Sequence, residues 1–228
     1  TLLALLIIAN AFILLSGRTY LYRGIMLTYL SGESGPTIYD LDKFPKRTVA
    51  KGNTSIQWER SAHFLPQTSV DGFAAYNKDL KTTAFLIFKG DSVLFEQYWG
   101  HHNENTVSNS FSAAKTVVAL LVGIAVEEGK IKGLDEPVGN YIPEFKREDL
   151  SIITIRDLLL MASGLDWTES GKNPLSDNAE SYYGTDLYGL VTHQKRISEP
   201  GKTFIYQSGN SQLLGFIVQK ATGYTISE

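Results

Sequence analysis

Ser112 and Lys115 stand three residues apart in Ser110-Phe111-Ser112-Ala113-Ala114-Lys115, directly ahead of an apolar run from Val117 to Val126. Residues three apart share one face of a helix, with Cβ atoms roughly 5–6 Å apart, so the serine oxygen and the lysine nitrogen can exchange a hydrogen bond. A helix N-terminus also presents unpaired N–H groups and a partial positive charge. That field favours the neutral amine, and a neutral lysine can accept the proton of a hydroxyl nucleophile. The same spacing suits an ordinary helix start, with Ser112 as N-cap and Lys115 covering apolar surface with its stem. Chance alone supplies about one such pair in a chain of this length.

A second suggestive segment is Pro200-Gly201-Lys202-Thr203-Phe204-Ile205-Tyr206-Gln207-Ser208-Gly209-Asn210. A tyrosine and a serine two apart in extended backbone point to the same side, although an isolated tyrosine in such a setting can equally pack over a core with its hydroxyl at the surface. Other hydrolase patterns are missing. There is no Gly-x-Ser-x-Gly elbow and no His-Glu-x-x-His, and His63, His101, His102 and His193 form no ligand spacing. Gly201-Lys202-Thr203 ends like a phosphate loop, but Arg196 occupies the position of its first glycine.

The elements that must hold these residues follow from pattern. A helix is expected from about Ser112 to Glu128, closed by Gly129 as C-cap. Thr82–Lys89 and Ser92–Trp99 read as two strands around a Gly90-Asp91 turn. The first is apolar on both faces, which calls for helices on both sides of its sheet. Asp135-Glu136-Pro137 starts a short helical turn. Thr154-Ile155-Arg156-Asp157 resembles a capping box ahead of Leu158–Met161. A polar loop carrying Trp167 spans about 165–181, Tyr182-Tyr183-Gly184 leads into a helical stretch towards Lys195, and a last helix runs from Ser211 to Ala221 with Gly223 as its cap.

Bulk composition narrows the class. A hydrophobic content of 43% with 20% charged residues describes a globular chain rather than a disordered one, and a formal net charge of −3 gives no support for nucleic-acid binding. Without cysteine there are no disulfides, thiolate nucleophiles or Cys-ligated zinc. The run Leu2 to Leu15 is apolar except for Asn10, and Tyr20, Tyr22 and Arg23 follow it as an interfacial flank would. Residues 1–30 are therefore expected to be an N-terminal membrane anchor or uncleaved signal segment that extends upstream, with an exported catalytic domain on the periplasmic or extracellular side. Residues 31–80 read as a linker and wrapping arm, within which Asn53-Thr54-Ser55 formally matches a glycosylation acceptor too short to use. Residues 81–228 read as the catalytic domain. The chain starts at Thr1 and stops at Glu228 where a new element is due, so a piece of a longer protein is expected.

Taken together, the segments resemble a known family. Ser112-Ala113-Ala114-Lys115 at the head of an apolar helix is similar to the first motif of the serine β-lactamase and penicillin-recognising superfamily. Gly129–Val138, Thr154–Leu165, Pro200–Tyr206 and Leu213-Leu214-Gly215 look like its class C β-lactamase-related branch, in order, over about Thr82 to Gly223. The resemblance implies an α/β (α+β) fold, with a mainly antiparallel sheet flanked by helices and a helical subdomain, the site between them and Ser112 at its floor. It makes Ser112 the acylated nucleophile, Lys115 its base, Tyr206 a proton relay to the leaving group, and the Ser112 N–H an oxyanion donor. It implies no cofactor, a small-molecule amide, ester or peptide substrate, and a membrane partner only through the N-terminal segment. Position 208 is Ser where class C β-lactamases carry Asn, and Tyr-x-Ser is similar to 6-aminohexanoate-dimer hydrolases and related esterases. An amidase or esterase is thus expected ahead of a true β-lactamase. Ser208, Tyr182 and Tyr183 are the expected substrate-binding residues. The family's third motif, Lys-Thr-Gly on a C-terminal strand, has no counterpart here and is expected beyond Glu228. The competing reading is a non-catalytic module that binds or senses a cell-wall peptide or lactam.

Overall fold

The computed structural model describes residues 1–54, 58–65 and 72–228, which form two compact units: 1–49 with 109–228, and 50–108. Ser55, the last residue of the Asn53-Thr54-Ser55 match, lies outside the described residues, as do parts of the expected linker.

The smaller unit is a sheet with one helix on it. Strands β2 (Ala84–Lys89) and β3 (Ser92–Tyr98) form the expected hairpin, antiparallel with Ala84 opposite Tyr98, and Gly90 takes the positive φ of 58° that its turn requires. The register slips between Ile87 and Phe88, a bulge in the hairpin. A two-residue strand β1 (Glu59–Arg60) adds to β3 in parallel, giving the order β1-β3-β2. Helix α3 (Phe73–Asp79) sets the ring of Phe73 edge-on against Phe85 and Phe95, at 4.8 and 5.9 Å between centroids. The expectation that both faces of β2 are covered is not met within this unit: Leu86, Ile87 and Phe88 are exposed.

The larger unit holds the main core. A 3₁₀ turn at Phe111–Ala113 runs into α4 (Ala114–Glu127), within one residue of the expected helix, and Gly129 closes it at φ 68°. Helix α8 (Ser208–Thr222) packs against it, and Val122 and Ala125 of α4 are buried with Leu213, Leu214, Ile217 and Val218 of α8. The apolar stretch Val117–Val126 has α8 as its core partner in this unit, while Val117, Leu120 and Ile124 stay exposed. Helix α5 (Ile155–Leu159) starts from a complete capping box, Thr154 Oγ1 accepting from the Asp157 N–H and Asp157 accepting from the Thr154 N–H. The turn expected to start at Asp135 forms three residues later, as a 3₁₀ turn at Val138–Asn140. The segment around Tyr182 divides into α6 (Asp177–Tyr183) and α7 (Leu187–Thr192), each N-capped by a side chain, Ser176 and Asp186. A new N-cap at Asp186, three residues beyond the end of α6, accounts for the break around Gly184.

The amino-terminal segment corrects an expectation. Helices α1 (Leu2–Leu15) and α2 (Tyr20–Leu27) form a pair in which the Tyr22 hydroxyl donates to Asn10 Oδ1 at 2.8 Å. At a rise of 1.5 Å per residue, 14 residues reach about 21 Å, short of a hydrocarbon core of about 30 Å, and Gly17 at φ 72° ends the run. No helix among the described residues is long and apolar enough to cross a membrane. The single-pass anchor, the membrane partner and the membrane-bound, exported location drawn from that anchor are therefore not supported.

Candidate active site

Ser112 sits in the 3₁₀ turn that leads into α4, one residue before the Ala113 N-cap, and no side chain caps that helix. The capping alternative for Ser112 is thereby removed. Its Oγ instead accepts from Lys115 Nζ at 3.1 Å and from the Tyr206 hydroxyl at 2.7 Å. Phe111, immediately before it, has φ 45°, a left-handed conformation that costs a bulky residue on the order of 1–3 kcal/mol. The strain falls on the residue that turns the chain so that Ser112 faces Tyr206.

Lys115 is not simply a solvated helix lysine. Its Nζ also donates to Ser208 Oγ at 3.0 Å and lies 5.1 Å from the centre of the Tyr206 ring. One amine thus joins a hydroxyl in its own helical turn to a hydroxyl 93 residues away.

Tyr206 and Ser208 are held by a set of buried amide bonds. Their shared neighbour Gln207 is 3% exposed and donates from Nε2 to the carbonyls of Leu165 and Trp167, at 2.7 and 3.3 Å. Ser163 Oγ donates to Asn210 Oδ1 at 2.7 Å, and the Ile205 N–H donates to the carbonyl of Met161 at 2.8 Å. Extended backbone at Gln207 then enters α8 directly at Ser208. Gly209 is required there: a Cβ at this position would lie 2.6 Å from Trp167 Cε3.

One site residue escaped the sequence reading. Glu169 accepts from both the N–H and the Oγ of Ser208, at 2.7 and 2.8 Å, and from Trp167 Nε1 at 2.8 Å. The carboxylate orients Ser208, and Ser208 in turn meets Lys115. Nothing in the loop's composition marks Glu169; its position two residues after Trp167, in a loop adjoining the Tyr-x-Ser segment, is the only signal available.

Tyr182 and Tyr183, at the end of α6, line the same cleft of about 960 Å³ as Ser112, Lys115, Ser208 and Glu169. Burial raises the phenol pKa of both; the negative charge of Glu169 adds to it at Tyr182, and that of Asp40 at Tyr183. Both phenols stay neutral donors, and the Tyr182 ring stands 6.5 Å from that of Phe111. The structure therefore brings together all six residues singled out from sequence: Ser112, Lys115, Tyr206 and Ser208 in one chain of hydrogen bonds, and Tyr182 and Tyr183 in the wall of the same cleft.

A sequence model described as "Beta-lactamase" matches residues 70–228. The 6-aminohexanoate-dimer hydrolase of Paenarthrobacter ureafaciens is 26% identical over 176 residues, covering 69% of this chain and 44% of that protein. Among solved structures, a Bacillus anthracis protein described as a 6-aminohexanoate-dimer hydrolase superposes with a TM-score of 0.63 at 22% identity, over 75% of this chain and 50% of the other. A class C beta-lactamase superposes with a TM-score of 0.52 at 18% identity, over 67% of this chain and 43% of its own. The chain thus spans about half the length of the relatives it matches, and the likeness to the solved structures is one of fold.

Proposed function

We propose, from the premise that this chain belongs to the beta-lactamase family, that its protein is a serine hydrolase cleaving amide or ester bonds through a covalent acyl-enzyme. The observation that carries the reading is the convergence of Lys115 Nζ and the Tyr206 hydroxyl on Ser112 Oγ. In acylation the neutral Lys115 amine takes the Ser112 proton as Oγ bonds to the carbonyl carbon. The charge that develops on the carbonyl oxygen lies at the N-terminal end of α4, where the Ser112 N–H and the helix field favour it. Collapse breaks the C–N or C–O bond, and the leaving group receives its proton through Tyr206. Water then attacks the acyl carbon, loses its proton to the same base, and releases the carboxylic acid and free Ser112.

The preference for amide or ester cleavage over lactam hydrolysis rests on Ser at position 208, where class C β-lactamases carry Asn. The Ser208 hydroxyl is committed on one side to Lys115 and on the other to Glu169, so it serves to place the amine. We assign Glu169 the same task at one remove, as a positioning residue.

Reaction of the full-length protein with a fluorophosphonate tests the reading. Labelling that disappears in Ser112→Ala is expected, and equal labelling of the variant overturns the assignment. Acylation without turnover of short esters and amides would replace the hydrolase with a sensing module.

A further inference from the structure

One wall of the Ser112 cleft comes from residues that precede the family match. Leu21 and Ile25 of α2, with Tyr29 just beyond it, line the cleft that Ser112 and Lys115 also line, whereas the match starts at residue 70. This arm is fastened at several points. The Tyr20 hydroxyl donates to the Pro174 carbonyl at 3.0 Å. Gly24 lies so close to Tyr183 that a Cβ would come within 3.2 Å of its ring. Farther on, the Asn109 N–H donates to the Ile38 carbonyl and its Nδ2 to the Thr37 carbonyl, at 3.1 and 2.9 Å, and the two Asp40 oxygens accept from the N–H and hydroxyl of Thr37. Helix α2 packs on α6, the helix that carries Tyr182 and Tyr183.

Despite these ties, the arm leaves apolar side chains bare towards the cleft. Ile25 is 41% and Tyr29 60% exposed. The reactive end is polar, with Lys115, Ser208 and Glu169, and the α2 part of the wall is apolar, with Leu21 and Ile25, before Thr28 and Glu33 farther along the arm. A volume of about 960 Å³ is at the upper end for small-molecule sites and exceeds what a short amide fills. We infer that the amino-terminal arm is a substrate-binding wall that takes a linear apolar chain attached to the bond cleaved at Ser112. The inference rests on the serine hydrolase reading and adds the substrate class to it. Each methylene buried against such a wall is worth about 0.8 kcal/mol, or roughly fourfold in affinity.

The test uses the full-length protein with two ester series, p-nitrophenyl esters from acetate to decanoate and alkyl acetates of matching lengths. These distinguish a chain on the acyl side from one on the leaving group. kcat/KM is expected to rise at least tenfold with length in one series. Ile25→Glu should reduce the long-to-short ratio at least fivefold, and the milder Leu21→Ala should reduce it in the same direction. A ratio near one in both series, or a ratio that neither substitution moves, overturns the inference. Should no ester react and no fluorophosphonate label Ser112, the hydrolase reading fails, and the arm is then judged by calorimetry on Ser112→Ala with octanamide and acetamide. Tighter binding of octanamide that Ile25→Glu removes upholds the arm; equal binding of the two overturns it.

Discussion

The Tyr206 hydroxyl meets Ser112 Oγ at 2.7 Å across 94 residues of sequence. Two segments that share no local structure are brought together at this bond, which is also where a proton would pass. Tyr206→Phe removes the hydroxyl from a ring that is 40% exposed, so stability should change little while acylation slows by about 10²–10⁴-fold. Lys115→Ala should slow it to a similar degree. The rate of fluorophosphonate labelling reads both, and a Tyr206→Phe rate within threefold of the parent would remove Tyr206 from the mechanism.

Glu169 and Ser208 should behave as one unit. Glu169→Gln and Ser208→Ala each disturb the same placement of Lys115, so each is expected to lower kcat by about 10–100-fold with KM little changed. Together they should cost little more than either alone, because residues in one hydrogen-bonded network are non-additive. Strict additivity in a double-mutant cycle would show that Glu169 acts independently of Ser208 and would remove its assignment as a positioning residue.

Gly209→Ala should be costly for a steric reason. The new methyl would meet Trp167 Cε3 at 2.6 Å and Cδ2 at 2.8 Å, and Trp167 is both buried and tethered through Nε1 to Glu169. Overpacking of this kind costs about 1–3 kcal/mol, which lowers Tm by roughly 2–12 °C in a chain of this size. Adding Trp167→Leu should recover part of that loss in a thermal melt. An unchanged Tm for Gly209→Ala would mean that α8 can slide away from the indole.

Asp40 ties down the arm in a pH-dependent way. Burial alone would raise its pKa, but hydrogen bonds from Thr37 and the charge of Lys43, 2.9 Å away, outweigh it and hold the carboxyl below its ordinary value. A depressed carboxylate stabilises the fold fully above the unfolded pKa of about 3.9, and the contribution fades as pH falls through the lower folded value. Asp40→Ala should therefore destabilise the protein by about 1–3 kcal/mol near neutrality. The gap between the two proteins should close below pH 4 in urea melts. A gap independent of pH would place the effect in packing rather than charge.

Sequence legibility followed the range of the interactions involved. Helix α4 was readable because its apolar run and Gly129 cap are contiguous, and the box at Thr154 and Asp157 because its partners are three residues apart. The Ser112 and Lys115 pair stood out through its three-residue spacing, and Tyr206 joined it only through the family resemblance; the structure hydrogen-bonds Lys115 and Tyr206 to Ser112. Glu169 did not stand out, because its partner Ser208 is 39 residues away and a loop has no period to expose it. The arm was opaque for a related reason. An irregular stretch rich in Gly, Pro and Ser carries no sign that Thr37 and Asn109 will hold it in place, 72 residues apart. The apolar run at the amino terminus misled in the opposite direction, since composition indicates what a helix would dissolve in but not where Gly17 will end it.

The left-handed backbone at Phe111 bears on how this protein can evolve. Glycine at that position would relieve the backbone strain, less the entropy that its freer unfolded chain costs. It would also unfasten the turn that presents Ser112 and remove the ring beside Tyr182. Thermal adaptation and reactivity are set against each other at residue 111, so a lineage that keeps the activity has to gain its robustness elsewhere.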